Sequence, residues 1–216
     1  MSKPFKADDL ASQLTQDITW RIREISDLKS TVQIADITAR PAILRAMMAM
    51  MYAHWEGHVR FCAQKYLQHV ALRKLLFAVL DRQFLKGHFL PKLNSISQKS
   101  DREKGELIDG ILDSQLDRFS RVNDDLVNTK SNLSHRVLGE ICRVCGIEIK
   151  HFEGQDIFID LILLKRRNAI AHGEETFIQL TEVDGLADQT IALMRTFSNQ
   201  IQMVAYLERY RAVKPS

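Results

Sequence analysis

Residues that interrupt helices are scarce in this chain. Its 216 residues include only 4 prolines and 9 glycines, and so few interruptions favour long helices over a strand-rich fold with many tight turns. Apolar residues make up 45% of the sequence, which is enough to bury a substantial core. We therefore predict an all-α helical bundle, with residues 1–216 forming a single domain and residues from about 85 to 130 forming a helical insertion in it.

Apolar residues recur every three or four positions in three long segments, the spacing that lays them on one face of a helix. The pattern predicts helices from about Asp8 to Lys29, from about Pro41 to Val70 and from about Val183 to Leu207. Pro41 suits the start of the second helix, because proline is favourable in a helix's first turn, where its missing N–H costs no hydrogen bond. The apolar faces comprise Leu10, Leu14, Ile18, Ile22 and Ile25, then Leu44, Met48, Met51, Trp55, Cys62 and Tyr66, and finally Val183, Leu186, Thr190, Met194, Phe197, Ile201, Val204 and Leu207.

Shorter elements are predicted between these helices. We expect residues 72–84 to continue the second helix or to start another, Gly87 and Pro91 to mark a bend, and residues 92–99 to form a loop. Ser100 and Glu103 have capping-box spacing, which predicts a helix from there to about Phe119.

The two helices that follow are predicted from their end signals. Ser134 should cap a short helix through about Cys145 that ends at Gly146. A further helix, which we name the motif helix, is predicted from Gln155 to His172, with Gly173 ending it.

The motif helix carries the string Lys165-Arg166-Arg167-Asn168-Ala169-Ile170-Ala171-His172-Gly173-Glu174. An apolar run thus becomes abruptly cationic at what we expect to be its exposed end. Asn168 and His172 are four residues apart and share a helix face, and the long side chain of Arg167 can reach the same end. The string therefore gathers a guanidinium, an amide and an imidazole, the groups that can cut a phosphodiester without a metal.

RNA cleavage needs each of these groups. The 2′-hydroxyl attacks the adjacent phosphate, so a base must take its proton and an acid must protonate the leaving 5′-oxygen. An imidazole can serve in either role near neutral pH, and a guanidinium can bind the phosphate oxygens on which charge grows. One chain supplies one His172, whereas the reaction uses both roles. A twofold dimer would supply two such histidines.

The string from Leu164 to Glu174 resembles the signature of the HEPN superfamily, whose ribonuclease members carry an arginine, a polar residue, three more residues and a histidine. The earlier string Tyr52-Ala-His-Trp-Glu-Gly-His-Val-Arg60 is similar to the second helix of a compact prokaryotic branch found among toxin and phage-defence systems. The order of elements is similar too, with the motif late and one long helix after it. The resemblance covers most of the chain.

This resemblance implies a helical bundle, a homodimer with the motifs at its interface, and metal-independent RNA cleavage that leaves a cyclic phosphate. It places Arg167 and His172 in the catalytic positions and Asn168 in the polar position, and we expect Lys165 and Arg166 to hold the RNA backbone. The resemblance also puts Glu56 beside the motif helix, either paired with Arg167 and orienting it or as a solvated surface carboxylate.

Some HEPN toxins are silenced by a partner nucleotidyltransferase that modifies a tyrosine shortly after the histidine. Residues 173–177 contain no tyrosine, which argues against that route, and any antitoxin protein would be encoded elsewhere. Other members of the superfamily bind RNA or proteins without cleaving. A non-catalytic helical module for RNA binding or protein interaction is therefore the alternative function.

Two other patterns suggest metal or redox sites. His54 and His58 have the spacing of a zinc-ligand pair, but Trp55 stands where metalloproteases have glutamate, and no third ligand is evident. Cys142 and Cys145 form a Cys-x-x-Cys pair within a predicted helix without a second pair, which favours ordinary buried thiols. We predict no metal and no cofactor.

The net charge and the search for targeting segments indicate what the protein can bind and where it is located. The formal net charge of +3 and the pI of about 8.8 are compatible with an anionic partner such as RNA. No run of 18 apolar residues occurs and the first residues lack the apolar core of a signal peptide, so we expect no membrane association. The 3 cysteines are an odd number, which argues against a disulfide framework. A reduced, cytoplasmic protein is the expectation.

Overall fold

A computed structural model describes residues 3–122, 124–129 and 132–212. Most of the described residues are helical, with two isolated β-bridges and no extended strand among them, as the all-α prediction requires. The principal helices are α1 (Ala7–Ile34), α2 (Arg40–Ala71), α3 (Arg82–Asn94), α4 (Asp101–Asp113), α5 (His135–Cys145), the motif helix, which consists of a π-helical segment (Ile157–Lys165) and α6 (Arg166–Ala171), and α7 (Val183–Tyr206).

Helix α2 is the centre of the bundle. It packs against α1 and α7 along its length, and the motif helix and α5 cover other parts of its surface. All six residues of its predicted apolar stripe are buried, and so are His58 and Val59 between them. A helix buried on so many sides holds the elements around it in fixed positions, which matters for the site because the motif helix is one of these elements.

The predicted stripes of α1 and α7 are correct apart from three positions. Ile18 and Ile22 of α1 are only partly buried, because Asp17 and Arg21 occupy the centre of the buried face instead. Leu207 follows the end of α7 and is exposed, whereas the other seven residues of that stripe are buried.

The predicted helix over residues 72–84 is wrong up to residue 81, since a new α-helix begins only at Arg82. The extension of α4 to Phe119 is wrong for the same reason. The chain leaves α2 with a positive φ of 49° at Lys74 and then runs extended. The Phe77 N–H donates to the Asp117 carbonyl at 2.9 Å, and the Phe119 N–H donates to the Leu75 carbonyl at 2.9 Å. Backbone groups that pair across this distance in sequence cannot also make helical hydrogen bonds.

The predicted bend at Gly87 and Pro91 is also wrong, because both residues lie inside α3. The helix begins at Arg82, and Asp81 is its N-cap, because the Asp81 carboxylate accepts from the Gln83 N–H at 3.0 Å. This cap was not predicted from the sequence. The helix then continues to Asn94, which takes in the first residues of the predicted 92–99 loop.

The capping signals of α4 and α5 are confirmed. Ser100 and Glu103 form the predicted capping box, and the Ser134 hydroxyl accepts from the Val137 N–H at 3.3 Å. Gly146 ends α5 in the left-handed conformation with φ of 71°. These local signals fix the helix ends whatever packs around them.

Candidate active site at the end of the motif helix

The motif helix changes its hydrogen-bonding pattern just before the cationic string. Its first part, Ile157–Lys165, is a π-helix, and α-helical geometry begins at Arg166. Such π-helical segments are rare and occur often at functional sites. The helix ends in a Schellman motif, in which the N–H groups of Gly173 and Glu174 donate back to the Ile170 and Ala169 carbonyls, and Gly173 has φ of 78°. The predicted end of the helix is therefore confirmed.

Arg167 points from the motif helix onto α2. Its guanidinium carbon lies 4.1 Å from the centre of the Tyr52 ring, and Nη2 lies 4.0 Å from the Glu56 carboxylate. The side chains of Arg167 and Glu56 retain 21% and 20% exposure, so both can be reached from solvent. The contact with the ring and the ion pair together hold the guanidinium against α2.

Asn132 joins Arg167 to its neighbour in the motif. The Asn132 Oδ1 accepts from Arg167 Nη2 at 3.3 Å and from Asn168 Nδ2 at 3.2 Å. The motif's arginine and its polar residue are therefore bound to one acceptor, supplied by the segment that precedes α5. This shared contact fixes the two side chains relative to each other.

Tyr52 supports this arrangement from its position on α2. Its hydroxyl accepts from the Leu133 N–H at 2.6 Å, which ties the residue after Asn132 to α2. Burial raises the pKa of Tyr52, and the hydrogen bond and charge of Arg167 reduce this shift without reversing it. The phenol therefore stays protonated around neutral pH.

Replacement of Tyr52 by phenylalanine should lower the free energy of unfolding by about 1–3 kcal/mol, because the buried Leu133 N–H loses its acceptor. The ring that contacts Arg167 is retained, although the hydrogen bond between Arg167 and the Tyr52 hydroxyl is lost as well. Urea unfolding of the two proteins measures the difference. Tyr206→Phe is the matched control, because Tyr206 is exposed at the end of α7. An equal stability of Tyr52→Phe and the wild type would contradict the role given to this hydrogen bond.

An open cleft of about 800 Å³ lies beside Arg167, and we name it the Arg167 cleft. Its wall includes Tyr52, Glu56 and Gly57 of α2. Arg21 reaches this wall over Gly57, where a Cβ atom would lie only 2.8 Å from Arg21 Nη1. The remaining lining residues are Ala49, Met50, Ala53, Arg60, Phe61, Gln64 and Thr129.

The other predicted site residues of the motif helix differ in their exposure and in their contacts. His172 is exposed at the end of the helix and does not line the Arg167 cleft. Lys165 is exposed, whereas Arg166 is partly buried and its Nη2 lies 3.2 Å from the Glu182 carboxylate. Within one chain, the structure thus brings together Arg167, Asn168 and Glu56 and leaves His172 at the surface.

The family RiboL-PSP-HEPN matches residues 16–203 of the chain. The chain belongs to this HEPN family. The match runs from within α1 to within α7 and includes the whole motif helix. No curated protein and no solved structure matches the chain. The domain is thus a HEPN-type helical bundle, a class of which many members are ribonucleases.

A buried polar cluster lies behind the Arg167 cleft of this HEPN domain. Asp17 accepts from Arg21 Nε at 2.8 Å and Nη2 at 3.1 Å, and its Oδ2 lies 2.6 Å from His58 Nδ1. His54 lies 3.0 Å from the Glu24 carboxylate. Both histidines of the zinc-like pair therefore have a carboxylate of α1 as partner. In the described part of the chain, no three potential ligands gather into a metal site.

The cysteines of the HEPN domain are buried free thiols, as expected for Cys142 and Cys145. Burial raises the pKa of Cys142 to about 12 and the pKa of Cys62 well above its ordinary value. Cys62 Sγ lies 3.4 Å from His58 Nε2, so Asp17, His58 and Cys62 follow one another as in a cysteine hydrolase. A fully buried, protonated thiol is no nucleophile, and this cluster is structural.

Two contributors to the site were missed from the sequence. Tyr52 stands four residues before Glu56 and so shares its helix face, a signal that could have identified it. Asn132 lies 35 residues before Arg167 in an irregular segment, and no local pattern relates the two. None of the helices in the described ranges combines the length and the apolar character that a membrane crossing needs.

Proposed function

We propose that this HEPN domain is a metal-independent RNA endonuclease. The observation that carries the proposal is the position of Arg167, held by Tyr52 and Asn132 at the wall of an open cleft and at the beginning of the Arg-Asn-x-x-x-His motif. A guanidinium fixed in advance stabilises a charge that develops in the transition state without further reorganisation. Arg167 thus binds the phosphate oxygens of the scissile linkage.

The reaction requires two proton transfers and no external co-reactant. His172 of one protomer takes the proton of the 2′-hydroxyl, and the 2′-oxygen forms a bond to phosphorus. The bond from phosphorus to the 5′-oxygen breaks, and the protonated His172 of the other protomer donates a proton to that oxygen. The products are a 2′,3′-cyclic phosphate and a 5′-hydroxyl. Asn168 fixes Arg167 through Asn132, and Lys165 contacts the RNA backbone.

A homodimer completes this site. His172 is exposed rather than directed into the Arg167 cleft of its own chain, so a second copy is needed to bring two imidazoles to one phosphate. The motif helix also presents exposed apolar side chains at Ile157 and Leu161, and Phe177 follows it with 80% exposure. Exposed apolar residues along the motif helix and just after it support dimerisation through this helix.

We infer a biological role in a toxin–antitoxin or phage-defence system, in line with the branch of the superfamily that the second helix resembles. An antitoxin protein encoded elsewhere would then restrain the nuclease in the cytoplasm. Arg166, which pairs with Glu182, contributes less to RNA binding than Lys165 because its charge is already compensated.

Structured RNA incubated with the purified protein in excess chelator tests the proposal. We expect cleavage to persist, with 2′,3′-cyclic phosphate ends, and Arg167→Ala to lower its rate by about 10²–10³-fold because a preorganised donor to the phosphate is lost. Arg136→Ala is the control, since Arg136 is an exposed arginine of α5. Intact RNA with the wild-type protein would refute the nuclease. Retained RNA binding in that case would instead support the non-catalytic module.

A further inference from the structure

A second cleft adjoins the Arg167 cleft on the surface of α2. This Lys3 cleft has a volume of about 860 Å³ and shares Arg60, Gln64 and Thr129 with the first. Its other lining residues are Lys3, Lys65, Gln68, Ala71, Leu72, Ser120, Val122, Val127 and Asn128. The two clefts therefore form one continuous depression, which we name the α2 groove.

One ridge of α2 forms the floor of the groove. Its members follow one another at intervals of four residues, the spacing of neighbours on a helix surface. From Tyr52 to Gln68 this ridge is about 24 Å long. The ridge consists of Tyr52, Glu56, Arg60, Gln64 and Gln68.

The charge of the groove is positive beyond the Arg167 cleft. Lys3, Arg60 and Lys65 line the Lys3 cleft, and none of its described lining residues is a carboxylate. Glu56 is the one acidic residue among the described lining residues of the Arg167 cleft, and it pairs with Arg167. A row of cations that begins beside the proposed catalytic arginine attracts a polyanion to that arginine.

The N-terminal segment is fixed at the far end of this row. The carbonyl of the buried Pro4 accepts from His69 Nδ1 at 2.8 Å, and the Phe5 carbonyl accepts from Arg73. These contacts hold the backbone next to Lys3 on α2, so the cation belongs to the groove and is not carried by a loose end.

The remaining lining groups fit the bases of a single strand. Gln64, Gln68, Asn128 and Thr129 offer amide and hydroxyl groups that can both donate and accept. The Phe61 ring lines the Arg167 cleft, and Lys65 Nζ lies 5.5 Å from its centre. Cations along a groove with an aromatic side chain for stacking are the combination by which proteins bind single strands.

We propose that the α2 groove binds a single-stranded segment of RNA and leads it to Arg167. Its length fits the lower end of the range of about 4–16 nucleotides that single-strand sites cover. The strand runs along α2 towards Lys3, rather than over Arg166, which Glu182 already compensates. This inference rests on the proposed function for what happens to the strand, but binding along the groove can be measured by itself.

The test is the binding of fluorescent 12-nucleotide single strands in the His172→Ala background, where cleavage does not interfere. We expect Arg60→Gln with Lys65→Gln to weaken binding by about 10-fold or more and to reduce the salt slope by about 1–1.5, since two phosphate contacts are lost. Arg102→Gln with Lys104→Gln removes the same two charges from α4 and should leave the affinity within about 2-fold.

A further variant tests the groove without removing any of its cationic side chains. Ser120 is exposed at the groove, and Ser120→Glu should also weaken binding through like-charge repulsion with the phosphates. Unchanged affinity in both groove variants, an equal loss in the α4 control, or duplex RNA bound as tightly as the single strand would overturn the inference. Wild-type protein that cleaves RNA while the groove variants bind normally refutes the groove alone. Groove-dependent binding without cleavage refutes the nuclease alone.

Discussion

Replacement of His172 by alanine should lower the rate of RNA cleavage by about 10²–10⁴-fold, the contribution typical of a positioned general acid or base. In the proposed dimer each phosphate meets two copies of His172, so one substitution removes both proton-transfer groups. The side chain is exposed at the end of α6 and fills no part of the core. Single-turnover cleavage in excess chelator measures the loss, and thermal unfolding should be unchanged.

His151→Ala provides the matched control, because His151 is also an exposed histidine and lies in the short helix from Ile149 to Phe152. It should cleave at the wild-type rate. Cleavage by His172→Ala at a rate within a few-fold of the wild type would contradict the assignment of this residue. Loss of activity in both variants would show that the effect is not specific to the motif.

The same variant tests the requirement for a dimer. After subunit exchange in an equal mixture of wild type and His172→Ala, about one quarter of the dimers contain two wild-type chains, by random pairing in a twofold assembly. If both histidines are needed, the activity per wild-type chain should fall to about half. An unchanged activity per wild-type chain would mean that each protomer works alone.

The parts of the site that were predictable from sequence are those encoded by local patterns. The motif helix could be placed because an apolar run, a cationic string and Gly173 follow one another. The resemblance placed Glu56 beside the motif helix, and in the structure its carboxylate lies 4.0 Å from Arg167 Nη2. The π-helical segment could not be predicted, because nearly every residue from Ile157 to Leu164 is apolar and such a run carries no periodicity that distinguishes one helix type from another.

The errors in the fold arise where distant segments meet. Residues 72–81 contain enough apolar side chains for a helix, but the backbone groups of Leu75 and Phe77 pair with those of Phe119 and Asp117. Asn132 reaches Arg167 for a similar reason, from a segment that has no regular structure before α5. Hydrogen bonds between segments tens of residues apart leave no spacing signal in the sequence, so they appear only in three dimensions.

The buried carboxylate of α1 is the clearest case of such a hidden contact, and its removal should have a large effect on stability. Asp17 is 5% exposed and accepts hydrogen bonds from Arg21, while His58 on α2 lies 2.6 Å away. Asp17→Asn leaves the buried Arg21 without its counter-ion. We expect the free energy of unfolding at pH 7 to fall by about 3–5 kcal/mol, the usual consequence of breaking a buried ion pair on one side.

The pH dependence of this loss follows from the pKa of Asp17. Burial raises that pKa, but hydrogen bonds from His58 and Arg21 outweigh burial and hold it below its ordinary value of 3.8. A carboxylate whose pKa is lowered by folding contributes its stability above the unfolded pKa and loses it as the pH falls through the folded pKa. Urea unfolding should therefore give a difference in the free energy of unfolding between the wild type and Asp17→Asn that is full at pH 7 and narrows below about pH 4.

Asp27→Asn is the control, because it changes an exposed carboxylate of the same helix, and it should lower the free energy of unfolding by less than about 0.5 kcal/mol. A difference between the wild type and Asp17→Asn below about 1 kcal/mol at pH 7, or one that grows in acid, would mean that the Asp17 charge does not hold α1 to α2.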